Sequence, residues 1–235
     1  LAVVVNEFAE LGLDGARLPG GDYEKYELNR GSIFCICLRT DFIALLEKIV
    51  SEISPDEVWV ESTGVADVSE VFKMLSVPSL RAALFLRTHV CIVDPNTILK
   101  VLTTLRAAAE QVRLADAIIL NKVDTVSSDA LHAVEAKLKQ YNRRAPILRA
   151  EHAAVDPAAI PSFSIPRFDA RGTPGHAPQP VVSVSITEPW VIPFDAFERW
   201  WRAQGGDLWR VKGQLTSPDG ARWMDGTIGR LESEA

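Results

Sequence analysis

Short apolar runs that each break off into a polar cluster constrain this chain more than any other feature. Leu1–Val5 runs into Asn6-Glu7, Glu57–Glu61 into Ser62-Thr63-Gly64, and Asp116–Leu120 into Asn121-Lys122-Val123-Asp124. A further run, His89–Val93, ends in Asp94-Pro95-Asn96. Such runs, strand-length and rich in apolar β-branched residues, suit strands of a parallel sheet buried on both faces. Between them lie segments with helical spacing. Asp41–Ile53 places Phe42, Leu45, Leu46, Ile49 and Val50 on one stripe, with Thr40 or Asp41 as cap. Helices are also predicted at about 67–75, ahead of Pro78, at about 97–114, and from a Ser127 or Ser128 cap to about Tyr141. A short strand fits Tyr23–Leu28, and Ile147-Leu148 begins a last one. Strands alternating with helices predict a doubly wound, mainly parallel α/β sheet, in which ligands bind at the C-terminal ends of the strands. The polar clusters sit at those ends.

Residues 151–180 change character, with Pro157, Pro161, Pro166, Pro174, Pro178 and Pro180 among small residues, and read as a linker. The α/β domain is therefore expected over 1–150 and a smaller α+β domain over 181–235. In the latter, Val181–Ile186 alternates like a strand, Pro193–Ala203 looks helical, and Leu208–Leu215 and Ala221–Ile228 read as two more strands.

No apolar run approaches the roughly 20 residues that cross a bilayer, and the N-terminus lacks the basic flank of a signal peptide. A net charge of −6 leaves no basic stripe for phosphate neutralisation, which argues against a nucleic-acid partner. The three cysteines form no even disulfide framework, and two of them are separated by a single residue. That usage suits a reducing cytoplasm and a metal or redox role.

The Asn121-Lys122-Val123-Asp124 cluster carries the sharpest chemistry. Guanine offers N1–H and an exocyclic amine side by side, and a carboxylate such as Asp124 accepts from both, a pair of donors adenine lacks. Asn121 would orient the loop and reach the N7/O6 edge, while the Lys122 stem would cover a face of the base. The plainer alternative is a polar turn at a strand end. Glu61, at a strand tip beside the Gly64 turn, is suited to hold Mg²⁺ directly or through water, and Gly64 lets the backbone approach a terminal phosphate. Alternatively, this is only a capped strand-to-helix connection. Cys35 and Cys37 can share Zn²⁺, Co²⁺ or Ni²⁺ if other ligands complete the shell, with Glu10 and His89 suitable by type. Equally, they are small buried residues on a strand. Cys91 reads as core, and His132, His152 and His176 as helix-surface or linker residues.

Taken together these motifs resemble the CobW-type GTPase family. Asn6-Glu7-Phe8-Ala9-Glu10-Leu11-Gly12-Leu13-Asp14-Gly15 is similar to its NEFGE-x-G-x-D-G stretch, with Ala9 for the usual Gly. Glu27–Gly31 and the cysteine segment resemble EL-x-x-G-C-x-C-C, Glu61–Asp67 resembles E-T-T-G-L-A-D, and Arg210-Val211-Lys212-Gly213 resembles the RxKG of the C-terminal domain. The resemblance implies a P-loop-NTPase-like fold and a GTP-hydrolysing protein that couples nucleotide state to metal delivery, in cobalamin biosynthesis or for a client metalloprotein. Its cofactors would be GTP with Mg²⁺ and Zn²⁺ or Co²⁺. Glu61 would belong to the Mg²⁺ and switch region, Gly64, Asn121, Lys122 and Asp124 to the nucleotide site, and Cys35, Cys37 and Glu10 to the metal site. The sequence leaves open the metal, the client and homodimer formation. A non-catalytic guanine-nucleotide or metal-binding protein, and an activator of a metal-dependent hydratase, urease or hydrogenase, are the competing readings.

The chain departs from the family pattern in two places. A gapless match sets Ser32 and Phe34 at the first two cysteine positions, so only Cys35 is kept in register. No G-x-x-x-x-G-K-[ST] occurs in the 235 residues, and the family places that loop just upstream of Leu1. The chain is therefore expected to be a fragment, without GTPase competence as it stands, lacking a central strand, with an exposed apolar groove and a C-terminal domain that stops short.

Overall fold

The computed structural model describes residues 1–7, 24–29, 36–64, 68–161, 184, 186–204, 208, 210–227 and 230–234. Two compact units part between Ser183 and Val184.

In the first unit, β1 (Ala2–Glu7) lies between β2 (Glu24–Asn29) and β3 (Val58–Glu61), and both pairings are parallel. A second parallel set runs β4 (Val90–Val93), β5 (Ala117–Leu120), β6 (Ile147–Arg149), with β5 in the centre. Central position explains composition: every residue of Ala117-Ile118-Ile119-Leu120 is buried, because neighbours cover both edges and helices cover the faces. The α/β fold with parallel strands is as expected, and the strands form two three-stranded sheets with β3 and β4 at the edges of their respective sheets. Edge position shows in exposure: Trp59 is 63% exposed and Ile92 62%, although both are large and apolar. The approaches to these two strands are joined by an ion pair between Arg87 and Glu57.

Each sheet has its own core. Phe42, Leu46 and Ile49 of α1 (Ile36–Lys48) and its terminal turn pack with Ala2, Val4, Met74 and Leu80. The stripe was legible, but the helix starts at Ile36, so Thr40 and Asp41 lie inside it and neither caps it. Its last turn widens over Ile49–Ile53, and Ser54 closes it in the left-handed region (φ 47°), its amide donating to the Ile49 carbonyl at 3.1 Å. The next helix, α2 (Val68–Leu75), stops before Pro78, which opens the short α3 (Pro78–Arg81) at its first position. Glu70 of α2 is only 8% exposed, and it is tolerated because two cations meet it, Arg39 of α1 and Lys73 at 2.6 Å.

The helix expected over about 97–114 is two helices, α4 (Ile98–Thr104) and α5 (Arg106–Leu114), broken at an extended Leu105 (φ −120°, ψ 105°). Thr103 and Thr104 direct their hydroxyls back to the Lys100 carbonyl at 2.7 and 3.0 Å, competing with the backbone ladder. The break turns Leu105 into the interior, where it is 4% exposed. On α6 (Ser128–Tyr141) the Ser127 hydroxyl accepts from the Ala130 amide, and Leu131, Val134 and Leu138 form the buried stripe. Asn142 then locks the turn into β6. Its amide donates to the Val112 and Ala115 carbonyls at 2.9 and 2.8 Å, and its Oδ1 accepts from the Arg144 and Ala145 amides at 3.0 Å each.

The second unit is an antiparallel sheet, β7 (Arg210–Ser217), β8 (Gly220–Thr227) and β9 (Arg230–Glu234), with the helix α7 (Phe194–Ala203). β9 was not foreseen, and the expected strand at 181–186 is corrected at Val184 and Ile186, which belong to none. Gly226 is required by packing, since a Cβ there would sit 2.6 Å from Val211 Cγ1 and 3.1 Å from the Trp201 ring. Among the described residues no helix is long and apolar enough to cross a membrane.

Candidate functional site

The C-terminal ends of β4, β5 and β6 converge on one set of loops. Asn121 continues the ladder beyond β5, its amide donating to the Val93 carbonyl at 2.9 Å. Lys122 then turns the chain sharply in the left-handed region (φ 59°, ψ 38°), a conformation uncommon for a residue with a side chain. Val123-Asp124-Thr125 follow as one 3₁₀ turn, closed by the Thr125 amide and hydroxyl on the Lys122 carbonyl at 3.1 and 2.7 Å. This turn carries Asp124 outward. Its carboxylate is exposed and has no partner among the described residues, so its acceptor capacity is open to a ligand.

Two neighbouring loops hold that turn. From the β6 side, Asn121 Oδ1 accepts the Ala153 amide at 2.7 Å, and the Val123 amide reaches the Ala150 carbonyl at 3.3 Å. The loop is strained there, with His152 and Ala153 both at positive φ (51° and 56°). From the β4 side, Asn96 Nδ2 donates to Thr125 Oγ1 at 2.8 Å, and Lys122 Nζ lies 3.8 Å from Asp94 Oδ2. The sequence reading singled out Asn121, Lys122 and Asp124 and left Asn96, Thr125 and Ala153 aside. Backbone amides carry no sequence signal, and Asp-Pro-Asn reads simply as a turn.

Glu61 closes β3 on the other sheet and is exposed, as are Ser62 and Gly64. Gly64 would meet nothing within 4 Å if it carried a Cβ, so the backbone is open to approach there. Thr63 Oγ1 is buried without a hydrogen-bond partner in the described structure, a group suited to a polar ligand. Gln111 of α5 donates to the Thr63 carbonyl at 3.3 Å and ties this turn to the helix ahead of β5. Glu61 and Asn121 thus belong to different sheets, linked through α5.

Of the expected metal ligands, Glu10 and Cys35 lie outside the described residues. Cys37 falls in the first turn of α1, so the alternative that placed it on a strand is corrected. His89 stands just ahead of β4, where its amide donates to Asp116 Oδ2 at 2.8 Å. Among the described residues no group of three or more His, Cys, Asp or Glu side chains forms a metal cluster. Cys91 is core, as expected: burial pushes its thiol up to about 12, so it is not a thiolate near neutral pH. His132 and His152 are both exposed, on α6 and in the loop after β6.

Comparison with known proteins bears on this arrangement. The model of the family described as CobW/HypB/UreG, nucleotide-binding domain, matches residues 1–149. The zinc chaperone YeiR of Escherichia coli (strain K12) is 26% identical over 236 residues, covering 98% of this chain and 69% of that protein. The zinc chaperone CobW of a Sinorhizobium species is 25% identical over 177 residues, 63% of this chain and 50% of that protein. Zinc-regulated GTPase metalloprotein activator 1 of Dictyostelium discoideum is 24% identical over 193 residues, 66% of this chain and 40% of its own length. Among solved structures, the Zn(II)-bound YjiA GTPase from E. coli superposes with a TM-score of 0.50 at 18% identity, over 99% of this chain and 79% of that one. At that identity the likeness speaks for the fold alone.

Proposed function

This chain belongs to the CobW/HypB/UreG nucleotide-binding-domain family, and from that premise we propose that it is the guanine-nucleotide-binding part of a zinc chaperone. Asp124 accepts from guanine N1–H and the exocyclic amine, the Asn121 amide reaches the N7/O6 edge, and the Lys122 stem covers the base. Glu61 serves the Mg²⁺ and switch region, and the open backbone at Gly64 serves the terminal phosphate. Bound Mg²⁺ would neutralise charge developing on the phosphates. The transported ion is the protein's cargo, and Cys35, Cys37 and Glu10 are its proposed ligands. Zinc is preferred over cobalt because the relatives named above are zinc chaperones or zinc-regulated.

The observation that carries this reading is the exposed, unpartnered Asp124 carboxylate on a turn that neighbouring loops hold in place. GTP hydrolysis and delivery of the metal to a client metalloprotein are proposed for the whole protein. The 235 residues contain no G-x-x-x-x-G-K-[ST] segment, so binding rather than turnover is the measurement of choice. Calorimetric titration should show preference for GDP over ADP, and Asp124→Asn should weaken GDP and shift preference toward xanthosine diphosphate. An unchanged preference in that variant would remove Asp124 from the role. In parallel, Cys35→Ser and Cys37→Ser should each weaken Zn²⁺ binding measured by competition with a chromogenic chelator. Unaltered affinity in both would take the metal site elsewhere.

A further inference from the structure

We infer that Asn96, in the loop after β4, is a positioning residue for guanine recognition, acting on Asp124 through Thr125. The inference rests on the guanine-binding reading above and deepens it. Asn96 is anchored at its own end, since Asp94 Oδ1 accepts both its backbone amide and its Nδ2 at 2.9 Å. Nδ2 has a second hydrogen, and that one goes to Thr125 Oγ1 at 2.8 Å. A hydroxyl that accepts from Asn96 has its own proton left to donate, and it donates to the Lys122 carbonyl at 2.7 Å. The relay therefore runs Asp94, Asn96, Thr125, Lys122, each step oriented by the one before it.

Its end point matters. Lys122 is the residue in the left-handed conformation, and its carbonyl is also the acceptor that closes the 3₁₀ turn bearing Asp124. An unconstrained chain visits that conformation rarely. Whatever holds the Lys122 carbonyl in place sets how often Asp124 is aimed for a two-point contact with a base. Asn121 supplies support from the β6 side, and Asn96 supplies it from the β4 side. Asn96 itself is exposed, so removing it opens no cavity and leaves no buried group unpaired. Its effect should fall on the population of the reading conformation, which scales apparent affinity directly.

The test compares GDP with inosine diphosphate, which differs only in lacking the exocyclic amine that Asp124 is proposed to accept from. The whole chain is titrated calorimetrically with each nucleotide. Wild type should favour GDP. Asn96→Ala should weaken GDP by about three- to tenfold, as expected for losing the exposed bond to Thr125, and Thr125→Val by at least as much, because it also removes the part-buried bond to the Lys122 carbonyl. They should weaken inosine diphosphate clearly less, so that the GDP preference shrinks. The double variant should be no weaker than the worse single one, and Thr125→Ser, which keeps the hydroxyl, should restore the preference. The thermal midpoint of Asn96→Ala should stay at the wild-type value. Equal loss for both nucleotides, or full GDP preference retained in Asn96→Ala, overturns the positioning role while leaving guanine binding intact. A wild type that binds the two nucleotides equally overturns the guanine reading itself, and the positioning role with it.

Discussion

Asn121 combines two tasks that substitution can separate. Its Oδ1 accepts the Ala153 amide at 2.7 Å, across a loop whose His152 and Ala153 sit at positive φ, while its Nδ2 is the proposed contact to the base. Asn121→Ala removes both. The Ala153 amide is part-buried and loses its acceptor, and a strained loop loses the bond that holds it. The expected cost is about 1–2 kcal/mol, one net hydrogen bond plus part of the penalty for a stranded donor. In a unit of this size that lowers the thermal midpoint by roughly 2–8 °C. Asn121→Asp retains an oxygen for Ala153 and exchanges the Nδ2 donors for a charged acceptor, so it should be destabilised less than Asn121→Ala while its affinity for GDP falls. Urea unfolding followed by far-ultraviolet circular dichroism at constant m measures the first quantity, and calorimetric titration with GDP the second. The reasoning fails if Asn121→Ala is as stable as wild type, or if Asn121→Asp is destabilised to the same degree as Asn121→Ala.

Other expectations follow from the same structure. Asn142→Ala strands the buried Val112 and Ala115 carbonyls and the buried Ala145 amide and removes the acceptor of the part-buried Arg144 amide, and should cost about 3 kcal/mol in denaturant unfolding, with under 1 kcal/mol counting against this account. Gly226→Ala drives a methyl into Val211, Leu231 and Trp201 and should destabilise the C-terminal unit by about 1–3 kcal/mol, visible in tryptophan fluorescence during unfolding. Arg149 donates to both carboxylate oxygens of Glu135, at 2.7 and 3.1 Å, and this holds the Glu135 carboxyl below the usual 4.5. A depressed carboxyl contributes stability that is complete above its ordinary value and is lost as pH falls through its folded value. The advantage of wild type over Glu135→Gln should therefore shrink as pH falls below the usual 4.5, and an advantage that grows on acidification would contradict it.

The strands and most helices of the first unit were legible because they are local or nearly so. Ala117–Leu120 is apolar without alternation because it is a central strand, and Ser127 announces α6 because a hydroxyl at that point completes an open helix end. Asp124 was legible for the same kind of reason, as a carboxylate placed just beyond such a strand. What stayed hidden depended on partners distant in sequence or on competition within a turn. The break at Leu105 sits where Thr103 and Thr104 direct their hydroxyls back to the Lys100 carbonyl, although the apolar spacing runs straight through it. The order of strands within each sheet is a matter of which edges meet, and periodicity describes faces rather than edges.

The chain's own letters determined the fold class, the approximate strand ends and the side chains proposed to meet a ligand. Tertiary structure alone decided how those side chains are held. Asn96 meets Thr125 across 29 residues, and Asn121 meets the Ala153 amide across 32. Both contacts exist because parallel register brings the ends of β4, β5 and β6 to one level. Register is a property of paired strands, and no single segment encodes it.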